Sequence, residues 1–546
     1  MTKTIIYQII PRLFANFNET RRFNGSKAEN GSGKLVDINE RALQSIADLG
    51  ATHVWYTGII RHATAEHNNP AITKGKAGSP YAITDYYDVN PDLATDEERR
   101  MEEWQALIDR THQAGLGVLM DFVPNHVSRE YKSLCKPEGV QDLGEGDNPQ
   151  WAFSPLNNFY YLPGEKFSMD KDLQGYEEFP AKVTGNDCWS SHPGENDWYE
   201  TVKLNYGVFY QGGGEKQFDP IPNTWIKMRD ILLFWAGKKI DGVRVDMAEM
   251  VPVEFFAWAI DQVKKKYPKF IFIGECYDPQ RYDAYIAAGF DYLYDKVGMY
   301  DYLRGVTTKG WSAEGITHQW MQHGDERIKH MLYFLENHDE QRIASGFWCG
   351  DGRCAEPALL VATLLNQSPF MLYMGQELGE RGMDLEGFSG IDGRTTIFDY
   401  WGVKSLQAWA NKGLYDGAKL QESQKALREL YGKILTIARD NRAIHSGALY
   451  DITYAQGEGF DKREQFAFIR HKGTETLLVV VNFRDREQAI RVRIPNDAFV
   501  YLGLEEKEKA TATDLLRGHK QTIRLIANEP IDITLPAWTG VVLKIR

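Results

Sequence analysis

Gly242-Val243-Arg244-Val245-Asp246 is a strand-length run, apolar at Val243 and Val245, that ends on a carboxylate. Three further apolar runs have polar tails of the same kind. Gly117 to Phe122 continues as Val123-Pro124-Asn125-His126 and carries Asp121, Phe270 to Gly274 is followed by Glu275, and Met331 to Leu335 by Glu336-Asn337-His338-Asp339. Outward from Gly242, eight short apolar runs stand in order: Ile5 to Ile10, His53 to Thr57, Gly117 to Phe122, Gly242 to Val245, Phe270 to Gly274, Tyr292 to Tyr294, Met331 to Leu335 and Phe370 to Met374. Segments of helical period alternate with them or follow them: Arg41 to Leu49, Glu97 to Ala114, Thr224 to Gly237, Glu254 to Tyr267, Pro279 to Ala288, Ala355 to Leu365 and Lys425 to Ala438. Such alternation marks repeated β/α units, and eight parallel strands close a barrel.

The predicted fold class is therefore α/β, a (β/α)8 TIM barrel over residues 1–126 and 224–442. Residues 127–223 are rich in Gly, Asn, Asp, Pro and aromatics and are too long for a structureless loop, so they predict a small inserted domain after the third strand. From residue 443 to 546 the pattern changes to alternation, as in Gln465 to Arg470, Leu477 to Asn482, Ile490 to Ile494 and Gly540 to Ile545, which predicts a C-terminal all-β sandwich domain.

Composition narrows the partners. With 43% hydrophobic and 25% charged residues the chain is neither disordered nor a disulfide scaffold. Its 63 Lys plus Arg against 76 Asp plus Glu give a net charge of −13, which argues against a nucleic-acid partner. No run approaches the roughly 18 apolar residues of a membrane span. Five cysteines, none in a C-x-x-C pair, indicate neither a zinc site nor a disulfide framework, although Cys349 and Cys354 would be free to pair in an oxidising compartment. The amino terminus reads as a first strand without a cleavage-type leader, so the expected location is cytoplasmic, the alternative being an exported chain whose signal was removed. Oligomeric state is not legible.

In a parallel barrel the functional side chains stand at the carboxyl ends of the strands. One polar tail there is as readily a helix cap as a catalytic feature. Four together favour catalysis. At these residues the chain resembles the α-amylase family of glycoside hydrolases, in parts its neopullulanase-like members. Asp121 to His126, Gly242 to Asp246, Gly274-Glu275 and Phe334 to Asp339 are similar to that family's four main motifs. Tyr81 to Tyr86, Thr201 to Asn205 and Pro369 to Glu377 are similar to three weaker ones, in family order.

The resemblance implies Asp246 as nucleophile, Glu275 as acid and base, and Asp339 as a third acid that binds sugar hydroxyls. It implies His126, His338 and Arg244 as sugar-site residues, with Tyr81 as a stacking floor. In many relatives the residue matching Asn125 contributes to a calcium site, so calcium is the one cofactor implied. The physics agrees: retaining hydrolysis needs two carboxyl groups about 5 to 5.5 Å apart, which neighbouring strand ends supply. Arg244, two residues before Asp246, shares its face of the strand and favours its ionised form.

The chain departs from the pattern after Asp246, where Met247-Ala248-Glu249-Met250 replaces a run that usually carries a Lys-His pair. Glu249 is expected either to bind acceptor hydroxyls or to cap the helix beginning near Pro252. Gly58 stands where Pro is usual, with a backbone meaning only. Phe388, Tyr400, Trp401 and Trp409 either line subsites or pack their loop, and Asn16, Asn18, Asn24 and Asn30 either bind a cation or shape turns. The expected function is a retaining α-glucan hydrolase cleaving α-1,4 links of starch- or glycogen-derived saccharides through a covalent glycosyl-Asp intermediate. The alternatives are a transferase of the same family and, third, a non-catalytic sugar-binding member.

Overall fold

The first and last of the eight runs lie side by side, with Ile5 opposite Phe370 and Gln8 opposite Tyr373, and that pairing closes the barrel. In the computed structural model, which describes residues 2–546, the strands are β1 (Ile5–Ile9), β2 (His53–Tyr56), β3 (Gly117–Phe122), β4 (Gly242–Val245), β5 (Ile271–Gly274), β6 (Tyr292–Tyr294), β7 (Met331–Phe334) and β8 (Phe370–Tyr373). Met1, with which the amino-terminal reading begins, lies outside the described residues. All eight pair in parallel with their sequence neighbours. The register sets Arg244 beside Asp121 on one flank and Val245 beside Gly274 on the other, so the carboxylates that follow β4 and β5 emerge at one level.

Helices Arg100–Gln113, Asn223–Gly237, Val253–Lys266, Glu356–Leu364 and Glu422–Asp440 fall where the periodicity expects them. A π-helical turn over Lys296–Tyr300 running into helix Asp301–Lys309 was not expected. Gly298 and Gly305 break the helical pattern there, and Gly305 is required because the Trp311 indole lies where its side chain would stand. Among the described residues, no helix is long and apolar enough to cross a membrane.

Between β3 and β4 the chain forms three short antiparallel pairs. His126–Ser128 pairs with Thr201–Lys203, Tyr161–Leu162 with Ala181–Lys182, and Val208–Phe209 with Glu215–Lys216. Tyr160, Leu162, Phe167, Met169 and Val183 form a hydrophobic cluster separate from the barrel core, joined by Ile72 from the segment after β2. At the C-terminus, six antiparallel strands in the order Ala448–Asp451, Gln465–Lys472, Glu475–Asn482, Thr539–Ile545, Lys507–Asp514, Lys520–Leu525 make one sheet, and Gln488–Arg493 with Pro530–Leu535 make a second. Ile469, Leu478 and Val480 of the first share a core with Ile490, Val492 and Ile533 of the second. This is the expected β-sandwich, with one added helix, Asn496–Leu502, that buries Ala498, Phe499 and Leu502 and ends at Gly503, whose φ is 66°.

Cys349 and Cys354 are joined by a disulfide with Cα atoms 6.5 Å apart, whereas Cys135, Cys188 and Cys276 are free. Arg470 ties the C-terminal unit to the barrel at Leu365 and holds the junction residues Ala443, Ile444 and Gly447 together. Its buried guanidinium donates to the carbonyls of Leu365 (3.0 Å), Ala443 (3.0 Å), Ile444 (2.6 Å) and Gly447 (2.8 Å). Each carbonyl left without a donor would cost about 1–3 kcal/mol. Arg470→Leu is therefore expected to destabilise the protein by about 3 kcal/mol or more, measured as a lower urea midpoint, with Arg470→Lys falling between it and the parent.

Candidate active site

Arg244 leaves β4 pointing into the mouth of the barrel and is 1% exposed. Its Nη1 donates to Asp246 Oδ1 at 2.6 Å, its Nη2 lies 2.7 Å from Glu275 Oε2, and Asp121 is 3.8 Å away. The contact with Glu275 is a charge contact whose angle is too poor for a hydrogen bond. The rings of Trp55, Tyr81 and Tyr294 lie 5.4 to 5.6 Å from the guanidinium carbon, a cage of ring faces that suits a cation removed from water. Gly58 adopts φ 81° and donates its N–H to Asp121, which is the backbone role expected of it.

Burial raises the proton affinity of Asp246; the guanidinium opposes this and Glu275 adds to it, so Arg244 alone does not fix its ionisation as the sequence implied. Asp339 is pushed up to about 7, by burial and then by Glu275, and Asp121 to about 7 by burial. With one guanidinium beside them, Asp246, Asp339 and Asp121 all bind protons more readily than an ordinary carboxylate. The two histidines are the reverse. His126 is pushed down to about 3 by burial and by Lys203 and Lys74, and His338 falls well below its usual value through burial and Arg244. Both imidazoles are neutral. His338 binds Gln8 (2.8 Å) and the Tyr81 hydroxyl and lies 3.1 Å from Asp339, while the Trp198 ring stands 5.3 Å from that of His126.

A cavity of about 340 Å³ gathers Asp246, Glu275, Asp339, Tyr81 and His126, all predicted from sequence. Arg244 and His338 stand behind its wall. Met247, Tyr277, Phe398, Lys74, Trp198 and Glu200 also line the cavity and were not predicted. Met247, directly after Asp246, adopts φ 44° and so turns its N–H onto Glu275 Oε2 at 2.8 Å. Tyr277 donates its hydroxyl to Glu275 Oε1 at 2.6 Å. Phe388 lines the cavity with Phe398, whereas Tyr400, Trp401 and Trp409 are packed into the loop core. A positive φ on a non-glycine residue carries no sequence signal; Tyr277, two positions past Glu275, could have been found from its spacing.

Glu249 requires a correction. It does not cap the helix near Pro252: its Oε2 accepts the backbone N–H groups of Tyr277 (3.0 Å) and Asp278 (3.1 Å). A short acidic side chain thus anchors the segment that follows Glu275. The amides of Asn16 and Asn30 tie their loop to Trp401 and Tyr400 carbonyls and Asn18 accepts the N–H of Thr20, so these residues shape turns.

A family model for the alpha amylase catalytic domain matches residues 8–442. The chain belongs to the α-amylase family. Alpha-amylase 2 of Dictyoglomus thermophilum is 22% identical over 89% of this chain and 70% of its own length, and neopullulanase 2 of Thermoactinomyces vulgaris is 22% identical over 90% and 71%. A maltogenic α-amylase of Thermotoga neapolitana has the same fold, with a TM-score of 0.65, 18% identity and coverage of 99% of this chain and 98% of that one. The enzyme is thus a glycoside-hydrolase family member with its carboxylates in place.

The calcium expected at Asn125 does not fit this α-amylase family member. Asn125 Oδ1 accepts a hydrogen bond from the Lys203 ammonium at 3.0 Å, and that ammonium pairs with Asp187 at 2.6 Å. A cation supplied by the chain already takes the oxygens. Two acidic clusters elsewhere are also engaged: Asp92 of the Glu66, His67, Asp92 group binds Lys27, and Asp88 beside Asp85 and Cys135 binds Arg61 and Arg100. Chelator is expected to leave the thermal midpoint unchanged, whereas Lys203→Met lowers it; a fall with chelator that added calcium restores would refute this.

The raised carboxylates also fix a pH dependence. Asp339 binds a proton in the folded state up to about pH 7, but in the unfolded chain only up to about 4. Its contribution to stability is present at low pH and lost as pH rises through 7. Asp339→Asn carries no such loss. Its thermal midpoint relative to the parent is expected to rise between pH 5 and pH 8, measured by paired melts.

Proposed function

We propose that this chain is a retaining α-glucan hydrolase acting on α-1,4 links of starch- or glycogen-derived saccharides. The observation that carries the reading is the shared guanidinium. Two carboxylates held by the two ends of one Arg244 side chain lie side by side, which suits the short separation of about 5 to 5.5 Å that retention requires rather than the wider gap of inversion. Asp246 attacks the anomeric carbon as Glu275 gives its proton to the leaving oxygen, forming a glycosyl ester. Glu275 then takes a proton from water, whose oxygen displaces Asp246. Asp339, His126 and His338 bind the hydroxyls of the distorted sugar, and Tyr81 supports its face. Relatives named for amylase and neopullulanase activities support an α-glucan substrate.

Transfer to a sugar acceptor is the second reading, favoured by Trp198, Tyr277 and Met247, which present ring and thioether surface in the cavity where a second sugar face would pack. A cytoplasmic location remains the expectation, and the Cys349–Cys354 bond supports the exported alternative, since such bonds persist in oxidising compartments.

Maltoheptaose followed by NMR is expected to give the α-anomer first, and an initial β-anomer would overturn the reading. Asp246→Asn is expected to lower turnover on the order of 10⁴-fold with the fold intact. A tenth of the parent rate in that variant would remove Asp246 from the nucleophile role.

A further inference from the structure

Glu200 is 4% exposed, lines the catalytic cavity and belongs to none of the motifs above. Its Oε1 lies 3.3 Å from Lys74 Nζ, and its Oε2 has no hydrogen-bond partner. Lys74 also faces the cavity, from the segment after β2, while Glu200 immediately precedes the short strand Thr201–Lys203 that pairs beside His126. An orphaned carboxylate oxygen costs free energy, and here both members of the ion pair line the cavity that holds Asp246, Glu275 and Asp339. Here the free oxygen belongs to a residue of the cavity wall. Burial raises the proton affinity of Glu200 and Lys74 opposes it.

The two groups offer complementary chemistry: an ammonium that donates and a carboxylate oxygen that accepts. Neighbouring hydroxyls on a sugar ring supply one acceptor and one donor. We propose that Glu200 and Lys74 form a hydroxyl-binding pair that sets affinity for the saccharide segment lodged beside the catalytic carboxylates. The cavity of about 340 Å³ is at the small end for ligand sites, so it takes a short segment and each hydroxyl contact counts. The inference rests on the α-glucan reading and adds to it two substrate-binding residues outside the family motifs.

Calorimetric titration of maltotriose into the Asp246→Asn protein measures binding without turnover. Glu200→Leu or Lys74→Met in that background is expected to weaken binding about tenfold or more, and the isosteric Glu200→Gln, which keeps the volume, by less. The two changes combined are expected to cost less than their sum, because each already disables the pair. In the otherwise unchanged enzyme the same substitutions are expected to raise KM for maltotriose far more than they change kcat, a split that a structural role would not give. Unchanged binding in Glu200→Gln and Lys74→Met together, with maltotriose still bound by the parent, would overturn the inference. Absence of any binding by the parent would instead overturn the α-glucan reading.

Discussion

A single guanidinium that cannot lose its proton is buried at the mouth of the barrel, and the site is arranged around that fact. Arg244 is removed from water by three aromatic rings and neutralised by carboxylates from β3, β4 and the residue after β5. Without these partners the guanidinium would be a stranded charge in a low-dielectric environment, which costs several kcal/mol. The barrel register is therefore also an electrostatic requirement: only parallel neighbours in this stagger present Asp121, Asp246 and Glu275 to one side chain.

A second set of contacts holds the acids in place through the backbone. Glu249 fixes the amides after Glu275, Met247 donates to Glu275 from a left-handed backbone, and Asn337 accepts the N–H groups of Asp339 and Glu340 at 2.9 Å each. Met247 and Glu249, from the segment after Asp246, orient the segment of Glu275, whereas Asn337 orders its own turn around Asp339. Precision here comes from main-chain hydrogen bonds, which are shorter levers than side-chain packing.

All eight barrel strands were legible, because buried parallel strands are nearly pure apolar runs and their polar tails mark the rim. The carboxylates gathered in the cavity were legible for the same reason. What was missed has physical causes. Strands Lys507–Asp514 and Lys520–Leu525 bury only small or isolated residues such as Ala510, Ala512, Ile523 and Leu525 on one face, leaving a weak period. The role of Glu249 depends on where a loop after another strand lies, and that of Lys203 on the pairing that sets it opposite His126. Neither partner is near in sequence, so residue type alone left both open.

That same pairing has an evolutionary consequence. His126–Ser128 and Thr201–Lys203 are hydrogen-bonded side by side, so the excursion between them leaves the barrel and returns at one doorway. Closing a longer or shorter excursion through a fixed doorway changes the entropy only logarithmically with length. The barrel can therefore keep its chemistry while the material beyond the doorway is exchanged, much as one tool body accepts different heads. Residues at the threshold, Trp198 and Glu200 among them, travel with the exchanged piece yet face the old carboxylates.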